Sequence, residues 1–174
     1  MDQSNPKREI VFRSPWFQIL ARQPPGVDQP YYAIQSPDVA VIVAVNDRGE
    51  LLLVRQFRPA VDLMTLELPA GHIESDETPE EAARKELREE TGHEAGTLEL
   101  LTKVSPSTAR FTNRLWCFFA SNVKPCQRAQ PREAGVDFLY YERDIRSLLD
   151  EKEFISAASY AAMFAAVVRG RLKI

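Results

Sequence analysis

Residues 71–92, GHIESDETPEEAARKELREETG, decide how this chain is read. Thr78, Pro79 and Glu81 mark a helix start. A threonine side chain caps free N–H groups, proline suits the first helical position because the N–H it lacks would have no partner there, and Glu81 completes a capping box. The following EEAARKELREE holds no Gly, Pro or β-branched residue, so the helix is expected to run to about Thr91 and stop at Gly92. Ala82, Ala83 and Leu87 form a narrow apolar stripe, small enough to lie close against a sheet. Gly71 is expected to make a turn ahead of it.

The opposite face carries acid. Glu86 and Glu90 are four apart and Glu86 and Glu89 three apart, so their carboxylates crowd one surface. Like charges at this spacing cost roughly a few tenths of a kcal/mol per pair, and more where water is excluded. A hard divalent cation removes that penalty, and carboxylate oxygens are what Mg²⁺ takes, with Mn²⁺ accepting the same set. The plain alternative is a solvated helix whose acids are paired by Arg84, Lys85 and Arg88.

The stretch resembles the Nudix box of the Nudix hydrolases, whose pattern is G-x5-E-x7-R-E-U-x-E-E-x-G-U with U apolar. Gly71, Glu77, Glu86, Leu87, Glu89, Glu90 and Gly92 all fall in register. Lys85 stands where the family has Arg, and His93 where it has an apolar residue. The resemblance implies an α/β fold, an α/β/α sandwich around a mixed central sheet. It also implies a lock between loop and helix made by Glu77 and Lys85. Lysine keeps the charge of that lock but not the planar two-point grip of arginine.

Flanking segments resemble the ADP-ribose and nucleoside-diphosphate-sugar branch of that family. In LELPAG, residues 66–71, the backbone carbonyl of Ala70 is implied as a metal ligand beside Glu86, Glu89 and Glu90, and Glu67 as a substrate contact. RQFRP, residues 55–59, implies Arg58 on the substrate phosphates, with Arg55 beside it. The branch often carries its general base just before the last strand, which points to Glu133; Glu89 and Glu90 complete the catalytic set. Residues 105–114, SPSTARFTNR, are similar to the family's SPG-x-S-x-E-R loop, but Asn113 replaces the glutamate, so no metal or base role falls on it. Arg110 in this loop is a further candidate for substrate binding, since loops held by sheet ends gather ligand contacts.

At 174 residues and 44% hydrophobic, the chain is expected to form one structural unit burying about 70% of its unfolded surface. We divide it into an N-terminal β region, 1–36, and the Nudix domain, 37–174. A net charge of −3 argues against a protein that holds nucleic acid by general attraction to phosphate. Cys117 and Cys126 form no CxxC pair and read as free thiols of a reducing compartment. Without a signal peptide or an apolar run of spanning length, a cytoplasmic protein with no membrane partner is expected.

Strands are expected at Ile10 to Phe12, Phe17 to Ala21, Tyr31 to Gln35, Leu98 to Val104, Leu115 to Ala120 and Val136 to Tyr141. Val39 to Val45 reads as a strand buried on both faces, returning as a hairpin through Leu51 to Phe57. Thr65 to Leu68 leads into Pro69, 122–135 reads as a mobile loop, and helices are expected from Asp144 to Leu149 and from Ser156 to Arg169. The aromatic N-terminal region packs on the core or, by the resemblance, exchanges between two subunits of a homodimer and helps bind the base.

The reading of function that follows is Mg²⁺-dependent hydrolysis of a nucleoside diphosphate sugar such as ADP-ribose, giving a nucleoside monophosphate and a sugar phosphate. Two alternatives stay open: hydrolysis of a nucleoside triphosphate or dinucleoside polyphosphate, and a nucleotide-sugar sensor that kept the fold with little catalysis.

Overall fold

The computed structural model describes residues 8–126, 133–142 and 144–173. Three antiparallel strands, β1 (Arg8–Arg13), β2 (Gln18–Arg22) and β3 (Tyr31–Gln35), form a small sheet of their own. The main sheet has eight strands: β4 (Val39–Asn46), β5 (Leu51–Arg58), β6 (Leu63–Glu67), β7 (Ala70–His72), β8 (His93–Glu94), β9 (Thr97–Val104), β10 (Leu115–Pro125) and β11 (Val136–Tyr141). It is mixed: β10 runs parallel to β4, whereas β5 and β11 are antiparallel to their neighbours.

Period-two alternation in β4 explains the layering. Ala40, Ile42 and Ala44 face Ala82, Ala83 and Leu87 of helix α1 (Pro79–Thr91). Val41 and Val43 face the other way, into a cluster with Ala162, Met163 and Ala166 of helix α2 (Ala157–Val168). A strand covered on both sides must be apolar at every position, and β4 is. The expected α/β/α sandwich is the architecture observed.

Four expectations need correction. The hairpin of β4 and β5 is paired only at Ala44 with Leu52 and Val45 with Leu51. Beyond that point the strands splay, and the chain from β6 to β7 fills the wedge: β6 pairs with β5, β7 pairs with the start of β4, and Ile42 N–H donates to the Pro69 carbonyl at 2.9 Å. Gly71 therefore makes no turn but lies in β7. Of the expected loop 122–135, Asn122 to Pro125 continue β10 past a bulge, because β8 offers its backbone to Lys124 and Pro125; residues 127–132 lie outside the described residues. Finally, the helix expected from Asp144 is a 3-10 helix, Ile145–Asp150, too short for the looser α turn and started by the Asp144 side chain accepting from Arg146 N–H at 2.9 Å.

Helix α1 begins and ends as its sequence demands. Thr78 accepts from Glu81 N–H, Glu81 accepts from Thr78 N–H at 2.8 Å, and Gly92 closes the helix with a left-handed φ of 72°. The docked face and the secured ends hold the remaining face in one orientation toward β7.

Candidate active site

The wedge between β4 and β5 opens into a cavity of about 570 Å³, within the usual range of ligand clefts. Its walls are the acidic face of α1, with Glu86, Glu89 and Glu90, the β6–β7 segment with Glu67, Ala70 and Gly71, Arg58 from the end of β5, and Glu133 just before β11. Four sequence-distant segments thus bring together Arg58, Glu67, Ala70, Glu86, Glu89, Glu90 and Glu133.

Glu90 is buried, and one of its carboxylate oxygens accepts from Ala70 N–H at 2.9 Å. Burial, the neighbouring Glu86 and Glu133 push it up to about 8, against the hydrogen bond from Ala70 and the charge of Arg58. Glu86 is raised to about 7, chiefly by burial, with Glu89, Glu133 and Glu77 adding to it and Lys85 opposing. A Cβ added to Gly71 would sit 2.1 Å from the Glu86 carboxyl carbon. Glycine is needed at 71 because an acid packs on its Cα, not for any special dihedral angle.

The acids are not neutralised by the helix's own bases. Arg84 pairs with Glu80 at 3.0 Å and Lys85 with Glu77 at 3.0 Å, while Lys85 comes no closer than 3.8 Å to Glu86. Glu77 lies below its ordinary value through a hydrogen bond from Glu74 N–H and the contact with Lys85. The Glu77–Lys85 contact is in place, with one nitrogen where an arginine offers two.

On the facing wall, Arg58 Nε and Nη2 donate to the two oxygens of Glu67 at 2.9 and 2.8 Å. Thr65 adds a hydroxyl at 2.6 Å. Burial alone would raise Glu67, but the bonds from Arg58 and Thr65 outweigh it and hold Glu67 below the usual carboxylate range. Ion-paired in this way, the Arg58 guanidinium is fixed toward the cavity.

The donor set suits a hard divalent cation: carboxylates and a backbone carbonyl, two of the acids being held at raised proton affinity for want of a counter-charge. Among the described residues no three acids already converge as a closed cage, so loading requires side-chain rotation, chiefly of the exposed Glu89.

Two expected contacts are elsewhere. Arg55 does not line the cavity; its Nε and Nη2 donate to Glu153 at 2.8 and 2.6 Å, because alternation along β5 turns it away from Arg58's neighbours. Arg110 lines a separate pocket beside Tyr31. Asn113 is buried away from the cavity with its Oδ1 unpaired. Sequence reasoning also passed over His72, Ser156 and Ser159, which line the cavity. Ser159 is buried and its Oγ accepts from Leu68 N–H at 3.0 Å, tying the β6–β7 segment to α2. Nothing in the apolar run around it marks that role.

Among the described residues no helix is long and apolar enough to cross a membrane. Known proteins resemble this chain in three ways. An ADP-ribose pyrophosphatase of Bacillus subtilis is 39% identical over 72 residues, 41% of this chain and 37% of that protein. An ADP-sugar pyrophosphatase of Mus musculus is 51% identical over 69 residues, 37% of this chain and 32% of that protein. The chain thus spans about a third of the length of these two relatives. A solved structure described as an ADP compounds hydrolase superposes with a TM-score of 0.79 at 24% identity, covering 99% of this chain and 100% of the other, and so shares the fold. The family model for the NUDIX domain matches residues 35–155, from the end of β3 through the whole cavity-bearing sheet and α1, and by that match the chain belongs to the Nudix family.

Proposed function

We propose that this chain is a divalent-metal-dependent pyrophosphohydrolase whose substrate is a nucleoside diphosphate sugar of the ADP-ribose type. The observation that carries the reading is the opposition, across one cavity, of uncompensated carboxylates on α1 and a guanidinium fixed by Glu67. Mg²⁺ or Mn²⁺, held by Glu86, Glu89, Glu90 and the Ala70 carbonyl, would supply charge neutralisation on the diphosphate and lower the pKa of bound water.

The remaining work falls to the chain. Arg58 binds the diphosphate and orients it; its pairing with Glu67 keeps it from swinging out to solvent. Glu133, anchored to α1 by its N–H donating to the Glu89 carbonyl at 2.8 Å, takes a proton from the attacking water. Its carboxylate is exposed, unlike those of Glu86 and Glu90, so water can reach it. A P–O bond to water forms, the bridging P–O bond breaks, and two phosphomonoesters leave. The names of the ADP-ribose and ADP-sugar relatives support this substrate class.

The test is a panel of ADP-ribose, GDP-mannose, UDP-glucose and an NTP mixture, each with Mg²⁺, read as phosphomonoester released. Release from a nucleotide sugar is expected to exceed release from the NTPs. Preference for NTPs would favour the triphosphate reading, and binding without turnover the sensor.

We further read the N-terminal region, 1–36, as pairing two copies of this chain. Ile10, Val11, Phe12 and Trp16 are all exposed there, an apolar row that solvent alone covers poorly. A monomer by light scattering at micromolar concentration would remove the homodimer.

A further inference from the structure

A second concavity, of about 280 Å³, lies where β2, β3 and the loop 105–114 meet, apart from the acidic cavity and sharing no lining residue with it. Arg22, Arg110 and Arg114 line it together with Tyr31, Phe111 and Thr112. The loop is held by backbone bonds: Ile34 N–H donates to the Arg110 carbonyl at 2.7 Å, Thr112 N–H to the Ile34 carbonyl at 2.9 Å, and Arg114 N–H to Asp38 at 2.7 Å. The three arginines are therefore set in place by the fold.

Their charge is not compensated. Among the described residues none of the three forms an ion pair with a carboxylate. The adjacent acid, Asp38, is already engaged by the Arg114 backbone and by the Trp116 indole N–H at 2.8 Å. The Arg22 Nε is buried without an acceptor. A buried donor left unpaired costs about 1–3 kcal/mol, and three like charges around one hollow repel, so an anion in the hollow relieves both.

The walls narrow the class of anion. The Arg110 guanidinium lies over the Tyr31 ring, 5.2 Å from its centroid. The Phe111 ring is partly exposed beside it, and flat bases stack on aromatic and guanidinium planes of this kind. We infer that this pocket is a second site, distinct from the acidic cavity, that binds a nucleoside monophosphate, its phosphate on Arg22, Arg110 and Arg114 and its base against Phe111. The volume, just under the roughly 300 Å³ at which ligand clefts begin, suits a ligand of that size rather than a whole dinucleotide.

The site does not depend on the hydrolase reading, and its test keeps the two apart. Titration calorimetry in EDTA, with AMP and with inorganic phosphate, is run on the wild type, on the double variant R110Q/R114Q, on R110K/R114K, and on Arg58→Gln as the control for the acidic cavity. AMP is expected to bind the wild type, at least tenfold more weakly to R110Q/R114Q, with most of the affinity restored in R110K/R114K and less than a twofold change in Arg58→Gln. Phosphate is expected to bind more weakly than AMP. Absence of AMP binding at millimolar concentration, unchanged affinity in a natively melting R110Q/R114Q, or loss in Arg58→Gln alone would overturn the site. Equal affinity for phosphate and AMP would overturn the nucleoside part. If R110Q/R114Q melts abnormally, the charge-retaining lysine variant decides: AMP affinity indistinguishable from zero there, in a folded protein, also overturns it.

Discussion

The two halves of helix α1 treat the same side chain in opposite ways. At its N-terminal end Glu77 and Glu81 lie below their ordinary value: a hydrogen bond from Glu74 N–H leads for the first, and the Thr78 hydroxyl for the second. In its C-terminal half Glu86 and Glu90 are driven up to about 7 and about 8, burial being the main cause. The difference teaches that the first pair serves the helix and the second works against the fold. A carboxylate kept buried without a counter-charge is the mark of a group held for a ligand.

The sharpest way to break that contrast is Glu90→Gln. The amide still accepts from Ala70 N–H, so the fold is retained, but a ligand charge is gone; turnover of ADP-ribose with Mg²⁺ is expected to fall at least about 100-fold, with native circular dichroism. Full activity under limiting metal would end the assignment.

Gly71→Ala comes next. The added Cβ meets the flexible end of Glu86, so the carboxylate moves rather than the sheet. Activity is expected to drop roughly 10–100-fold, as for other disturbed metal supports, with little change in the denaturation midpoint. A large loss of stability with full residual activity per folded molecule would show that Glu86 stays put.

The pH dependence separates the halves directly. Glu86 and Glu90 bind protons in the folded state that the unfolded chain releases near 4.5. Between about 4.5 and 8 the folded protein holds the more protons, so in EDTA its stability falls as pH rises. Glu77 and Glu67 have the opposite sign: their contribution is present above 4.5 and lost as pH falls below it. Melting temperatures from pH 5 to 8 should decline in EDTA, and decline less in Glu90→Gln. A flat wild-type profile would mean the acids are not protonated in the metal-free fold.

Smaller effects sharpen the N-terminal half. Thr78→Ala removes the cap and should cost about 1 kcal/mol by denaturant titration, with turnover per folded molecule unchanged. Lys85→Arg adds a second nitrogen to the Glu77 contact and should alter stability by less than about 0.5 kcal/mol, leaving activity equal or raised. A large loss of activity would give Lys85 a role of its own.

Much of the α1 face could be read from the chain because its information is local. Capping, helix length and the spacing of Glu86, Glu89 and Glu90 are settled within twenty-two residues, 71–92. Arg55 and Arg58 illustrate the limit: three residues apart on β5, one engages Glu153 and the other Glu67. Alternation says they differ in facing; only the wedge between β4 and β5 says which one meets the cavity. Ser159 was hidden for a similar reason, since its partner is a backbone N–H 91 residues away.

By itself the sequence determined the layered α/β architecture, the ends of α1 and which acids share a face, because these follow from periodicity and from bonds within a few residues. Tertiary structure alone decided that β7 replaces a turn at Gly71, that Arg58 rather than Arg55 opposes the acids, and that Arg110 joins Arg22 in a separate pocket. Those outcomes depend on where splayed strands leave room for another segment, and that is set by packing among residues far apart in the chain.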